Sequence, residues 1–267
     1  MSIISLLSDF GQKDPYVAAM KAVILSITPS TRIVDISHNI DKFNIRMGAY
    51  ILATVAPYFP VDAVHVAVVD PGVGTKRRPI LIKTKRATYV GPDNGVLMLA
   101  AEKDEILKVY HIQNVKYVLS TVSNTFHGRD IFAPVAAHLV TGVEPSSFGP
   151  EIHDYVYPEY VTPKFKNGKL VGEVLHIDAF GNIISNISSD NLKQAGMCDP
   201  DSLLITVGEK ILNTRFCSTY GAVPVGSLLL LIGNSNFLEL ALNQASAAKL
   251  FGTEVGDRFC VSKIVSC

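Results

Sequence analysis

Acids placed where apolar runs end are the first residues in this chain equipped to hold a ligand or move a proton. Asp9 follows the run 3–8, Asp70 follows 63–69, and Asp93-Asn94 follows 88–90. In open α/β sheets, ligands sit beyond the carboxyl ends of the strands, so the three acids share a rim if these runs belong to one sheet. Each has a second reading, because an Asp at a strand end also forms Asx turns and caps helices.

The segment Asp70-Pro71-Gly72-Val73-Gly74-Thr75-Lys76-Arg77-Arg78 sets an acid and two arginines around a glycine-rich turn. It has neither GxxxxGK[ST] nor GxGxxG spacing, which argues against triphosphate and dinucleotide binding. An arginine beside a carboxylate can orient an anion or a water, since its planar fork stays charged at any working pH. A surface loop with solvated arginines is the alternative. Next comes Asn124-Thr125-Phe126-His127-Gly128-Arg129-Asp130, ahead of an apolar run. Here Gly128 permits close backbone approach to a ligand beside His127, and Asp130 is placed to cap the following helix. The remaining histidines, His38, His65, His111, His138, His153 and His176, show no HxH or HExxH spacing. Further on, Asp178-Ala179-Phe180-Gly181-Asn182 and Gly233-Asn234-Ser235-Asn236-Phe237-Leu238-Glu239 are polar loops between apolar runs. Their Asn amides can read the edge of a purine or simply make turns, and Tyr220 can stack on a flat ring or pack.

The elements that must position these loops follow from periodicity. Runs 3–8, 32–35, 63–69, 79–83 and 88–90 read as strands, and 15–27, 45–58 and 131–141 as helices. This alternation predicts an N-terminal α/β domain, 1–155, with a central, mainly parallel sheet. A stretch broken by Pro158, Pro163 and Lys166-Asn167-Gly168-Lys169 is taken as a linker, 156–168. Beyond it, strands at 172–177, 183–187, 203–207, 228–232 and 258–265 and a helix at 237–250 predict a smaller, β-barrel-like domain, 169–267.

Composition narrows the function classes. Lys plus Arg and Asp plus Glu both number 24 and no basic stretch is longer than Lys76-Arg77-Arg78, which argues against a protein that neutralises nucleic-acid phosphates. Apolar residues reach 48% and charged ones only 18%, a surplus of apolar surface that predicts an oligomer. No apolar run is long enough for a membrane span, and the N-terminus has no export signal, so a cytoplasmic protein is expected. Cys198, Cys217, Cys260 and Cys267 include no CxxC pair, which argues against structural zinc.

Taken in order, Asp9-Phe10-Gly11, Asp70-Pro71-Gly72-Val73-Gly74 with Arg77-Arg78, Pro92-Asp93-Asn94-Gly95, Thr125-Phe126-His127-Gly128-Arg129-Asp130, and the loops 178–182 and 234–239 closely resemble the S-adenosylmethionine (SAM) hydrolases. These SAM hydroxide adenosyltransferases are related to the fluorinase and chlorinase enzymes, and the resemblance runs from Ser8 to about Gly256. It implies attack of water on the ribose C5′ of SAM, giving adenosine and methionine, with no metal or other cofactor. It also implies a homotrimer with active sites between subunits. By position, Asp70, Arg77 and His127 match the family's water-activating triad. Asp9, Phe126, Gly128, Asp178, Asn182, Tyr220, Asn234, Ser235 and Glu239 are then expected around the substrate. The halogenases carry tyrosines where this chain has Asp70 and His127 and lack the arginine matching Arg77, which points to water as the nucleophile. Three other readings stay open: a metal-dependent hydrolase using Asp9, Asp70, Asp93 and His127, a non-catalytic sensor of adenosine or SAM, and, third, a halogenase.

Overall fold

The computed structural model describes residues 2–197, 203–208 and 210–263. They form two compact units, the first ending at Pro158 and the second beginning at Glu159.

The first unit is built on β1 (Ile3–Ser8), α1 (Tyr16–Ile27), β2 (Arg32–Ser37), α2 (Ile45–Val55), β3 (Val64–Val68), β4 (Pro79–Thr84), β5 (Thr88–Pro92), α3 (Met98–Lys103), β6 (Ile106–His111) and α4 (Ala133–Val140). Its sheet has the order β2-β1-β3-β5-β4-β6, parallel from β2 to β5 and antiparallel where β4 pairs with β5 and β6. The central strands β1, β3 and β5 are buried along nearly their whole length because both faces are covered, whereas the edge strand β2 is largely exposed. On one face Leu6, Val66 and Val90 pack with Met20 and Ile24 of α1 and Val135 and Ala136 of α4. On the other, Gly48 brings α2 against Leu7, Val69 and Val96. The Asn44 side chain caps α2 by accepting from Met47 N at 3.0 Å. The approach to α4 is a π-helical turn over Gly128–Phe132, a distortion frequently found at functional sites.

The second unit contains β7 (Lys164–Lys166), β8 (Lys169–Ile177), β9 (Ile183–Ser188), α5 (Ser189–Gln194), β10 (Leu203–Val207), β11 (Lys210–Thr214), β12 (Leu228–Ile232), β13 (Phe237–Leu242), α6 (Ala247–Phe251) and β14 (Arg258–Lys263). The order β11-β10-β14-β8-β9-β13-β12, with β7 beside β8, is antiparallel and nearly closed. Its ends meet where Cys217 N donates to Leu230 O at 2.7 Å and Leu230 N donates to Arg215 O at 2.9 Å. Residues 159–168 contribute a short 3-10 turn and β7 to this unit. Cys198 and Cys267, and the last two residues of the strand expected at 258–265, lie outside the described residues.

The helix expected over 237–250 is instead β13, a turn and the short α6. Leu238 and Leu240 enter the barrel core with Ile183 and Ile205, while Ala241 packs with Leu229 and Leu231 on the opposite face. A strand buried on both faces loses its alternation, and periodicity alone then cannot tell it from a buried helix.

Candidate active site

The loop 70–78 leaves the end of β3 and folds back on itself. Thr75 Oγ1 donates to Gly72 O at 2.7 Å and accepts from Arg77 N at 3.3 Å. This tight return points Arg77 back at the acid that opens the loop. Arg77 Nε donates to Asp70 Oδ1 at 3.0 Å, and Nη2 donates to Asp70 Oδ2. The same Nη2 reaches His127 Nδ1 at 2.9 Å across 50 residues of sequence. Side-chain exposure is only 7% for Arg77 and 4% for Asp70, so the fork works out of bulk water. The face of Phe132 lies 5.5 Å from Arg77 Cζ and closes one side. Arg77 Nη1 is buried with no hydrogen-bond partner among the described residues.

Gly74 makes the meeting of the two loops possible. Its φ is +75°, and a Cβ there would stand 2.1 Å from Asn124 O, so only glycine lets the loop 70–78 lie against the loop 123–130. The second loop is fastened by Asp130, which is fully buried and accepts from Ser123 N at 2.8 Å and from Arg129 Nε at 2.6 Å. That corrects the expectation that Asp130 caps the helix: its carboxylate ties the loop instead.

Arginine can only donate, so His127 Nδ1 accepts and the neutral ring carries its proton on Nε2. Burial lowers the His127 pKa and the Arg77 charge lowers it further, against the pull of Asp70 and Asp130. Burial raises the Asp70 pKa above its usual value despite the opposing Arg77 charge and hydrogen bonds. The cluster therefore offers a carboxylate made more basic by desolvation, beside two donors: Arg77 Nη1–H and His127 Nε2–H.

Asp9 sits at the end of β1 with 6% exposure. Its Oδ2 accepts from Phe43 N at 2.9 Å and its carbonyl accepts from Lys42 Nζ, leaving Oδ1 without a partner among the described residues. Beside it, Phe10, Tyr16 and Phe126 form an aromatic trio with ring centroids 5.2–5.7 Å apart. Gly128 was expected to admit a ligand, yet a Cβ there would lie 3.2 Å from Met20 Sδ, 3.3 Å from Phe126 and 3.4 Å from Phe10. Its small size serves this aromatic packing.

Asp93 does not join the other acids. Its Oδ2 takes Arg78 Nε and Nη2 at 3.0 and 2.8 Å and its Oδ1 takes Val156 N at 2.8 Å. Arg78 and Asp93 thus form a structural strut, while the adjacent Arg77 faces the histidine. Among the described residues, no three His, Cys, Asp or Glu side chains converge as a ligand set for a metal, so Asp9, Asp70, Asp93 and His127 are not one.

In the second unit, Asp178 and Asn182 close a turn: Asp178 Oδ1 accepts from Phe180 N and Asn182 N, and Oδ2 from Asn182 Nδ2, each at 2.9 Å. Asn182 Oδ1 has no partner among the described residues and remains as an acceptor. Tyr220 Oη donates to Glu239 Oε1 at 2.7 Å. Burial raises the Glu239 pKa and the Asp178 charge adds to it, with the Tyr220 bond opposing. Gly233 lies over Glu239 Oε2, the buried Ser235 follows, and Asn234 is exposed in the same loop.

Three comparisons bear on this arrangement. The model of the SAM hydroxide adenosyltransferase N-terminal domain matches residues 4–149, and that of the C-terminal domain matches residues 172–260. The chain belongs to the SAM hydroxide adenosyltransferase family. Family relatives include an (R)-S-adenosyl-L-methionine hydrolase of Methanocaldococcus jannaschii, 38% identical over 96% of this chain and 94% of that one. Another of the same name from Thermus thermophilus is 37% identical over 96% and 98%. A fluorinase of an Actinoplanes species is 27% identical over 98% and 97%. Among solved structures, an uncharacterized conserved protein from Thermotoga maritima superposes with a TM-score of 0.86 at 37% identity, covering 97% of this chain and all (100%) of that one.

Within this family member, two aromatic residues tied to the Asp9 loop carry no signal of their own in the sequence. Phe10 was in view only as part of a motif. Phe43 is 68% exposed at a φ of 65°, an unusual conformation for a bulky side chain, and it is pinned there by Asp9. No pattern in sequence announces a positive φ at phenylalanine.

Proposed function

We propose that this protein hydrolyses SAM to adenosine and L-methionine, with Asp70, Arg77 and His127 acting on the attacking water. The observation that carries the reading is the Arg77 fork, which holds Asp70 and the acceptor nitrogen of His127 at once and keeps Nη1 in reserve. Arg77 supplies the positive field, His127 helps to orient the attacking water, and Asp70 receives its proton. His127 is not the base in this scheme, because protonating Nδ1 would displace Arg77. As the oxygen bonds to C5′, the C5′–S bond breaks and its electron pair neutralises the sulfonium. Hydroxide character and sulfonium charge vanish together, so a poorly solvated site favours the transition state.

The residues supply general base and oriented donors themselves, so the reaction as proposed uses no metal or organic cofactor. Asp9 Oδ1 is the free acceptor for a ribose hydroxyl, with Phe126 and Phe43 as apolar walls. Asn182 Oδ1, Asn234, Ser235, Tyr220, Glu239 and the Asp178 turn supply contacts for adenine and the amino-acid end. We further propose a homotrimer with the active site at the boundary between subunits, in keeping with the apolar surplus of the sequence, and a cytoplasmic location. No helix among the described residues is long and apolar enough to cross a membrane.

Incubation with SAM in ¹⁸O-water tests the reading: label is expected in the 5′-oxygen of adenosine, one atom per methionine released. Absence of methionine release, or a halogenated nucleoside formed with added chloride or fluoride, would overturn it.

A further inference from the structure

His38 has no part in the chemistry above, yet it is 2% exposed and braces the loop that carries Asp9. Its ring Nδ1 lies 2.7 Å from Ser8 Oγ, and Ser8 Oγ accepts from Phe10 N at 3.3 Å. Its backbone carbonyl accepts from Gly11 N at 2.7 Å. Asp9 is therefore bracketed: the residues on both sides of it, Ser8 and Phe10 through the side chain and Gly11 through the main chain, are tied to one histidine. On its outer side, His38 Nε2 stands 3.2 Å from Asp35 Oδ1, close enough for charge to be felt but without hydrogen-bond geometry, and Asp35 Oδ2 accepts from Lys21 Nζ at 2.6 Å. The chain Lys21–Asp35–His38–Ser8 thus runs from a half-exposed ion pair on α1 and β2 to the buried end of β1.

The chemistry of a brace differs from that of filler. Ser8 is 1% exposed, and an apolar pair at positions 8 and 38 would fill the same space with no desolvation cost. What a polar pair adds is direction: the bond to Nδ1 fixes the Ser8 hydroxyl so that a lone pair of its oxygen meets Phe10 N, which sets the backbone of residues 9 and 10. Asp9 Oδ2 is used by Phe43 N, so the aim of the free Oδ1 depends on where that backbone stands. Phe10 in turn packs against Phe126, one residue from His127.

We propose that His38 is a positioning residue for substrate binding, acting through Ser8 on Asp9 and Phe10 and not on the Asp70–Arg77–His127 cluster. The inference rests on the proposed SAM hydrolysis and on Asp9 as a substrate contact. It predicts a change in KM for SAM with little change in kcat. Losing one net hydrogen bond in the brace corresponds to roughly a fivefold effect.

The two ring nitrogens can be separated by substitution, since an asparagine amide reaches the place of Nδ1 and a glutamine amide that of Nε2. Ser8→Ala and His38→Gln are each expected to raise KM by about fivefold or more with kcat within twofold. His38→Asn, which keeps a partner for Ser8, is expected to hold KM within twofold of the parent. Because Ser8→Ala and His38→Gln break one link, the double variant should be no worse than the poorer single one. Active-site titration with a tight nucleoside inhibitor corrects each rate for unfolded protein. Equal losses in His38→Asn and His38→Gln, additive losses in the double variant, or a fall in kcat at constant KM would overturn the proposal. A parent protein that releases no methionine sinks the proposed reaction instead, whereas a parent that turns over beside an unchanged Ser8→Ala sinks only the brace.

Discussion

Replacing Gly74 by alanine should separate the two halves of the catalytic cluster without touching either. The added Cβ would stand 2.1 Å from Asn124 O, and real contacts of this kind are no closer than 3.0 Å, so the loops must part by roughly 1 Å. Arg77 Nη2 and His127 Nδ1 are now 2.9 Å apart, and a further ångström abolishes their hydrogen bond. A misplacement of that size costs on the order of 10²-fold in rate. The positive φ adds about 1–2 kcal/mol of backbone strain, which at this chain length lowers Tm by roughly 2–8 °C. Steady-state release of adenosine, followed by chromatography, measures the first effect, and thermal unfolding the second. Gly74→Asn separates the causes, because asparagine tolerates the conformation while keeping the Cβ: it should lose as much activity with a smaller fall in Tm. An alanine variant with kcat within threefold of the parent would refute the claim that this contact sets the distance between Arg77 and His127.

Two further outcomes concern protons. As the acceptor, Asp70 must be ionised, so activity should fall as pH drops through a pKa that burial holds above 3.8; Asp70→Asn should lose about 10²-fold or more and, with its residual rate, show no such acid limb. A residual rate that keeps the parent's pH profile would assign the proton to another group. His65, buried between Phe59 and Tyr89 and 2.6 Å from Ser5 Oγ, has its pKa pushed down to about 4 by desolvation. The unfolded chain takes up this proton first, near 6.5, so His65's contribution to stability is complete above 6.5 and is lost as pH falls towards about 4. The loss amounts to at most about 3 kcal/mol. Denaturant unfolding at the two ends of that range should show it in the parent and not in His65→Gln; equal slopes in both would place the titration elsewhere.

Much of this molecule was legible from its residues alone. Alternating apolar runs with polar ends specify a sheet covered on both faces and put Asp9 and Asp70 at strand ends, because the local periods of helix and strand are written in the sequence. The order of the motifs carried the family, and with it Asp70, Arg77 and His127. Where both faces of a strand are buried, as in Phe237–Leu242, the period disappears and the helix expected there was wrong.

Other features are properties of contact across sequence distance, which no local pattern encodes. Arg77 and Arg78 are neighbours of one type, yet one joins Asp70 and His127 and the other is spent on Asp93 and Asp154. Gly128 packs against rings from 2 and 118 residues away, and His38 reaches back 30 residues to Ser8. The proton on His127 Nε2 follows from a partner 50 residues upstream that can only donate. Sequence therefore determined which chemical groups were available and which elements carry them. Tertiary structure decided which of those groups are consumed by the fold and which remain free to meet a substrate, since that is settled by who stands within hydrogen-bonding distance of whom.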